Sequence, residues 1–536
     1  MRTSRSLAIV AAAAVVAPVA ACDGGGGGGG TSATPRGSAS ASPSTSWIAG
    51  YLRDMSLREK VGQLFVPDFA DAAAATKLVE KYHVGGLIYF PRNMPSPEAT
   101  ARLSNSLQKA ASTPLLIGVD EEQGIVHRAP FITRFPGNMA LGATRNPGYV
   151  REAAQVTAAE LRAVGINQNY APDADVNVNP ANPVIGPRSF GSDPKLVASL
   201  VSAAVAGYQG AGVAATVKHF PGHGDTDVDS HTGLPVIEHS RSYWQRLDAP
   251  PFEAAVAAGV DAVMSAHIVV PRLDPSGDPS TLSHAVLTGL LRDKLHFNGV
   301  IITDSLKMAG VRKKYGDAVA PVRAIQAGAD QLLMPPNLPK AFDAVLAAVR
   351  KGTITEKRLD ESLTRILTLK QRRGLFKGTA VDPDKAGAAM RTAAHRRTAR
   401  TVAEHSVTLV RNDGGTLPLG SKKVFVTGPQ SAALRSALRS AGVRAASSAK
   451  DADVTVVTVL GGRPAIPAGA RSVVVAALGL PYVLKQAGGA AATVAAYSSS
   501  PVSITALARV LAGKVKPAGR LPVPAAGRKA GHGLTY

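Results

Sequence analysis

The feature that most constrains this chain is a recurrence. Between residues 47 and 375, short apolar runs alternate with helix-like stretches. Eight runs occur: GQLFVPDF (62–69), GGLIYF (85–90), PLLIGVDEE (114–122), GINQNYAPDADV (165–176), VAATVKHFPG (213–222), VDAVMSAHIVV (260–270), NGVIITDSL (298–306) and ADQLLMPP (329–336). Strands alternating with helical patterns predict βαβ units and a parallel sheet, and eight of them predict a (β/α)8 barrel resembling the TIM fold. In run after run the apolar part comes first and reactive groups follow it: Asp120, Lys218, His219, His267 and Asp304. That is where barrel enzymes carry their chemistry, at the C-terminal ends of the strands. A doubly wound open sheet gives a similar alternation, so the barrel rests on the count and the polar strand ends together.

A helical linker is expected over 376–404, and a second region over 405–536. VTLVRND (407–413), KKVFVTG (422–428), DADVTVVTVL (451–460) and ARSVVVAALG (470–479) read as strands of a smaller α/β sandwich domain. Gly461-Gly462-Arg463-Pro464 is not a phosphate-binding fingerprint. From residue 401 onward the acidic residues are Glu404, Asp413, Asp451 and Asp453 alone.

The N-terminus reads differently. Arg2 and Arg5 precede LAIVAAAAVVAPVAA, the layout of a secretory signal. Cys22, the only cysteine, follows small residues and resembles the acceptor of a bacterial lipobox. The resemblance implies loss of residues 1–21 and lipidation of Cys22, with the Gly- and Ser-rich stretch 22–46 as a flexible tether. The expected location is extracytoplasmic, on the outer face of a bacterial membrane, with membrane contact only through that anchor. A single cysteine leaves no disulfide within the chain, so stability must come from packing. The net charge of +22 forms no dense or aromatic-interleaved block, which argues against nucleic acid. Attraction to anionic lipids and wall polymers is the simpler reading. A monomer is expected.

Glycoside cleavage needs an acid at the leaving oxygen and a carboxylate at the anomeric carbon. Asp304 follows Gly299-Val300-Ile301-Ile302 and Thr303, so it would emerge at the mouth of a buried strand; a helix cap is the competing role. The segment KHFPGHGDTDVDSH (218–231) is richer. Its Asp225, Asp227 and Asp229 have calcium-loop spacing, but position six is Ser230 and position twelve is Val236, so that reading fails. His219, His223 and His231 sit on a Pro- and Gly-broken loop without the helical face that aligns zinc ligands. Asp229 and His231, two apart, lie on one side of an extended loop, where a carboxylate can orient an imidazole as proton donor.

KHFPGHGDTDVDSHTGLP, with NPVIGPRSFGSDP (182–194), VDEEQGIVHR (119–128), MSAHIVVP (264–271) and ITDSLKM (302–308), resembles the β-N-acetylglucosaminidase branch of glycoside hydrolase family three. HSVTLVRNDGGTLPL (405–419) and GRLPVP (519–524) resemble that family's second domain. The resemblance implies Asp304 as nucleophile and His231, supported by Asp229, as acid/base. It implies Asp120, Arg128, Arg188, Lys218 and His219 as sugar contacts, with His267 and Arg92 on motif-bearing loops. One departure is Glu122-Gln123-Gly124 in place of Glu-Gly-Gly, where the bulkier Gln123 is expected to bear on the pocket rim. The implied activity is a retaining exo-hydrolase releasing terminal N-acetylglucosamine from peptidoglycan-derived or chitin-type oligosaccharides, with no cofactor or metal. The acid-poor second region supports a barrel-borne acid independently, because the related β-glucosidases draw theirs from the second domain. A phosphorylase, a β-glucosidase and a catalytically silent sugar-binding protein are the rival readings.

Overall fold

Each of the eight apolar runs contains one strand: β1 (Phe65–Val66), β2 (Gly86–Tyr89), β3 (Leu116–Val119), β4 (Gln168–Asn169), β5 (Ala214–Phe220), β6 (Ala262–Ser265), β7 (Val300–Thr303) and β8 (Leu332–Leu333). The structure is a computed structural model that describes residues 43–230 and 233–536. The signal segment, Cys22, most of the tether and His231 lie outside the described residues. The helix Pro43–Asp54 begins inside the segment expected to be tether. Residues Trp47–Tyr536 form one compact unit.

Strands β2 to β7 pair in chain order and in parallel, and β1 pairs in parallel with β8. Hydrogen bonds carry the sheet round into a barrel. Between β7 and β8, Thr303 N donates to Gln331 O at 3.0 Å, and between β1 and β2, Ile88 N donates to Pro67 O at 3.1 Å. Val66, Ile88, Tyr170, Met264, Ile302 and Leu333 form one buried cluster, while the neighbouring Phe65, Leu87, Val263, Ile301 and Leu332 join another with the surrounding helices. Strands buried on both faces favour apolar residues, which is why most of these runs show no alternation; β4, Gln168–Asn169, is a buried polar exception.

The helices start on ordinary signals. Ser56 and Glu59 form a capping box ahead of Leu57–Gly62, and Asp71, Ser96 and Thr355 cap the helices that follow them. At the opposite end from the reactive groups, buried Asp330 precedes β8. It accepts from Ile301 N (2.9 Å), Ser362 Oγ (2.7 Å) and Arg365 Nη1 (3.1 Å), and pairs with Arg292. This cluster ties β7 and β8 to the outer helix Glu356–Arg372.

The second sheet contains β9 (Thr408–Asn412), β10 (Lys423–Thr427), β11 (Arg444–Ala445), β12 (Val454–Val459), β13 (Val473–Ala477) and β14 (Ala492–Ala495). Its order is β11-β10-β12-β13-β14-β9, parallel except for β9. One face packs on the helices Ala393–Ser406, Ser431–Ser440 and Pro501–Leu511. The other packs on Met139, Ala140 and Ala143 from the barrel's own helix Asn138–Thr144. The barrel thus supplies one layer of the α/β sandwich. Strands β11 and β14 escaped the sequence reading, since β11 is two exposed residues and β14 lies in an Ala-rich stretch without a break.

Candidate active site

The C-terminal strand ends converge on one cavity of about 490 Å³. Asp120, Arg128, Arg188, Lys218, His219, Asp229 and Asp304 all line it, together with Glu122, His223 and Ser305. Asp120 and Glu122 follow β3, Lys218 and His219 lie near the C-terminal end of β5, and Asp304 follows β7. Arg188 stands on the irregular segment after β4, in the short helix Gly186–Arg188.

Two cations and two carboxylates interlock on one side. Lys218 Nζ lies 2.8 Å from Asp120 Oδ1 and 2.6 Å from Glu122 Oε1. Arg188 donates to Glu122 through Nε (2.8 Å) and Nη2 (2.9 Å). Burial alone would push Glu122 toward its neutral form, but Arg188 and Lys218 outweigh it and hold the carboxyl far below the usual range. The same reasoning applies to Lys218: burial disfavours its charge, and Asp120 and Glu122 restore it.

A second chain of contacts fixes the imidazoles. His219 Nδ1 meets Asp175 Oδ2 at 2.7 Å, and Asp175 Oδ1 accepts from the backbone of His223 at 2.7 Å. The other ring nitrogen of His219, Nε2, lies 3.2 Å from Arg188 Nη2. Buried Asp173 is pushed well above the usual carboxylate range, by burial first and then by Asp175. Asp173, Asp175 and His219 offer three potential metal donors within 4.8 Å of one another. Asp175 orients the His219 ring, while Asp173 Oδ2 is buried without a hydrogen-bond partner among the described residues. His223 is kept neutral by burial, its pKa lowered to about 4, and its Nε2 meets Ser230 Oγ at 3.0 Å. The His219 ring therefore meets Asp175 and the His223 ring meets Ser230.

Asp304 is fixed by two backbone contacts. Its N–H donates to Ser265 O (3.2 Å), and its Oδ1 accepts from Ser305 N (2.7 Å). Burial raises the pKa of Asp304, but His219, His267, the Ser305 amide and Lys218 together bring it below the ordinary value. The group is therefore a half-buried, ionised carboxylate at the cavity wall. Its Oδ1 contact is with the next residue's amide, as in a local turn, while the carboxylate still faces the cavity.

Three expectations need correction. His267 is fully buried and absent from the cavity lining; its Nε2–H donates to Ser305 O (3.0 Å) and Nδ1 meets Thr281 Oγ1 (2.8 Å). It supports the Asp304-Ser305 backbone and contributes to the field on Asp304. Arg92 is also outside this cavity, because Asp68 (3.0 Å) and the Phe69 carbonyl (3.0 Å) hold it toward β1. Gln123 does not reach the rim. Its amide is buried, donating to Thr133 O and Thr157 Oγ1 at 3.1 Å and accepting from Phe135 N at 3.0 Å. Gly124, next to it, has φ +60 and lies so close to Gly137 that a side chain would collide.

The sequence reading missed Glu122, Asp173, Asp175 and His223 as members of the site. Glu122 was visible as an acid at a strand end. Asp173 and Asp175 belong to the APDADV stretch of the fourth run, but nothing in that stretch says which acids face a histidine.

Residues 56–369 match the family model described as the glycosyl hydrolase family 3 N-terminal domain. The chain is 37% identical over 385 residues to a β-N-acetylglucosaminidase/β-glucosidase of Cellulomonas fimi, covering 70% of this chain and 68% of that one. It is 37% identical over 374 residues to β-hexosaminidase A of Pseudoalteromonas piscicida, covering 64% and 62%. Among solved structures it resembles a family 3 β-N-acetylglucosaminidase from Paenibacillus sp. str. FPU-7, with TM-score 0.79 and 38% identity over 88% of this chain and 99% of the other. With the barrel, the strand-end cavity and these matches together, the chain belongs to glycosyl hydrolase family 3.

Proposed function

We propose that this protein is a retaining exo-β-N-acetylglucosaminidase that removes terminal N-acetylglucosamine from peptidoglycan-derived fragments, with chitin oligosaccharides as a second substrate class. One observation carries the reading: the ionised carboxylate of Asp304 and the loop carboxylate of Asp229 line the same cavity, among Asp120, Arg188, Lys218 and His219. The cationic and carboxylate groups of that set suit the hydroxyls of one terminal sugar. The relatives named for N-acetylglucosaminidase activity support the choice of sugar. Among the described residues, none beyond Met334 lines the cavity, so the acid-poor second domain supplies no rival proton donor there.

In this mechanism Asp304 attacks the anomeric carbon as the glycosidic C–O bond breaks. His231 gives its proton to the departing oxygen, with Asp229 stabilising the imidazolium. Water then loses a proton to His231 and attacks the glycosyl-enzyme, which releases Asp304. Asp304→Asn should lower turnover of an aryl N-acetyl-β-glucosaminide by at least about a thousandfold. Wild-type turnover in that variant would sink the assignment. Products released in phosphate buffer give the second test, because a sugar 1-phosphate would make the protein a phosphorylase.

Export and lipidation at Cys22 belong to the same proposal and rest on the sequence alone. No helix among the described residues is long and apolar enough to cross a membrane. Loss of membrane-fraction activity in a Cys22→Ser variant is the expected result, and unchanged fractionation would refute the anchor.

A further inference from the structure

The loop that bears Asp229 is irregular, and two histidines outside the proposed catalytic set hold it. At one end His223 meets Ser230 Oγ. At the other, His239 stands between two carboxylates, with Nδ1 2.7 Å from Asp248 Oδ2 and Nε2 3.0 Å from Asp225 Oδ2. Asp248 is buried at the start of the helix Ala249–Ala257, whereas the Asp225 side chain is 36% exposed on the loop. The Tyr243 ring packs edge-on against His239 at 4.6 Å, with Arg246 over its own face at 5.9 Å. Of the other charges nearby, Glu238 lies 3.6 Å from Arg272, while burial, Asp175 and Asp225 raise the pKa of Asp248 against the pull of His239. A neutral imidazole has one N–H, and donating to two carboxylates takes two.

We infer that His239 is a positioning residue for proton transfer: as an imidazolium it ties Asp225, on the acid/base loop, to Asp248 on the barrel wall and so sets the place of Asp229. The inference rests on the acid/base role proposed above for Asp229 and His231. Burial works against the charge on His239, but its bonds to Asp248 and Asp225 outweigh it and hold the pKa above the ordinary histidine value. As pH rises through that raised value the ring loses a proton and can serve only one carboxylate. Asp225, the exposed partner, is the one released, so the latch holds on the acid side and opens on the alkaline side.

The test compares kcat/KM, which reports the glycosylation step, on two aryl N-acetyl-β-glucosaminides. The 2,4-dinitrophenyl leaving group departs without a proton; the 4-methoxyphenyl group needs one. His239→Gln and Asp225→Asn should each lower kcat/KM on the 4-methoxyphenyl substrate by about tenfold or more and change the dinitrophenyl value by less than about twofold. On the poor substrate the wild-type alkaline limb should combine loss of the His239 proton with loss of the His231 proton, and both variants should keep only the His231 part. Equal losses on both substrates, or none on either, would overturn the positioning role. His231→Ala is the control. If it lacks leaving-group dependence, the acid/base reading falls and this inference with it; if it shows that dependence while His239→Gln does not, only the role of His239 falls.

Discussion

Glu122 grips Arg188 side-on, Oε2 to Nε at 2.8 Å and Oε1 to Nη2 at 2.9 Å, in a pair whose side chains are 2% and 11% exposed. The planar guanidinium fork fits the carboxylate in a way an ammonium cannot. The same Glu122 also holds Lys218, so one buried carboxylate sets the place of two cations that line the cavity.

Removing one partner of such a pair leaves a buried charge uncompensated. Arg188→Ala should therefore cost about 3–5 kcal/mol of stability, and Arg188→Lys should fail to restore it fully. The double variant Arg188→Ala/Glu122→Gln should be less destabilised than the two single losses summed. Urea denaturation of the four proteins measures this, and strict additivity would show that the two residues are not coupled.

Asp304 leads to a pH prediction. Its folded pKa lies below the ordinary value, so its ionisation contributes stability above the unfolded pKa, and that contribution is lost as pH falls through the folded value. Asp304, the proposed nucleophile, stays charged down to the same point. On the dinitrophenyl substrate, kcat/KM should show no acid inflection above about pH 4. A limb near pH 5–6 that vanishes in no other variant would mean that burial wins over His219, His267 and Lys218.

The second domain contributes no residue to the cavity lining among those described, yet it touches the segment that carries Arg188. Tyr482 OH accepts from Asn177 Nδ2 at 3.2 Å, Ser192 N donates to Pro522 O at 3.1 Å, and Leu480 packs beside Gly186. Tyr482→Ala should loosen that segment and raise KM about three- to tenfold with little change in kcat, the signature of lost uniform binding. A kcat loss at constant KM would instead place the second domain in the chemical step.

What was legible in the sequence follows from what local pattern encodes. Most of the eight strands were visible because both-face burial makes them apolar runs, although β4 is the polar pair Gln168–Asn169, and Asp120, Lys218 and Asp304 were visible because each lies at the end of such a run. Arg188 and Asp229 sit on irregular loops, and it was the family resemblance, not periodicity, that brought them forward. Pairings such as Glu122 with Arg188, or His239 with Asp225 and Asp248, join segments far apart in sequence or across a loop, and no spacing rule announces them. Gln123 shows the reverse error. A larger side chain suggested a changed rim, but the backbone at φ +69 turns that residue inward to Thr133 and Thr157.

Lys370 offers a prediction about stability away from the site. It is fully buried at the end of the barrel opposite the cavity, with Nζ 2.6 Å from Gln63 Oε1 and no carboxylate contributing to its charge. Burial pushes its pKa down to about 7 from 10.5. Below about pH 7 both folded and unfolded chains hold the proton, and the folded state bears the full cost of a buried ammonium. Between that point and the unfolded value the folded state binds fewer protons, so stability gains with rising pH, by a few kcal/mol in order of magnitude. Lys370→Met should flatten this rise. It orphans Gln63 Oε1, at about 1–3 kcal/mol, so the variant should gain stability at pH 6 and lose it at pH 10 relative to the wild type. Denaturation midpoints at the two pH values decide the point: a difference between variant and wild type that is the same at both would mean that Lys370 stays charged throughout, held by a polar environment richer than Gln63 alone.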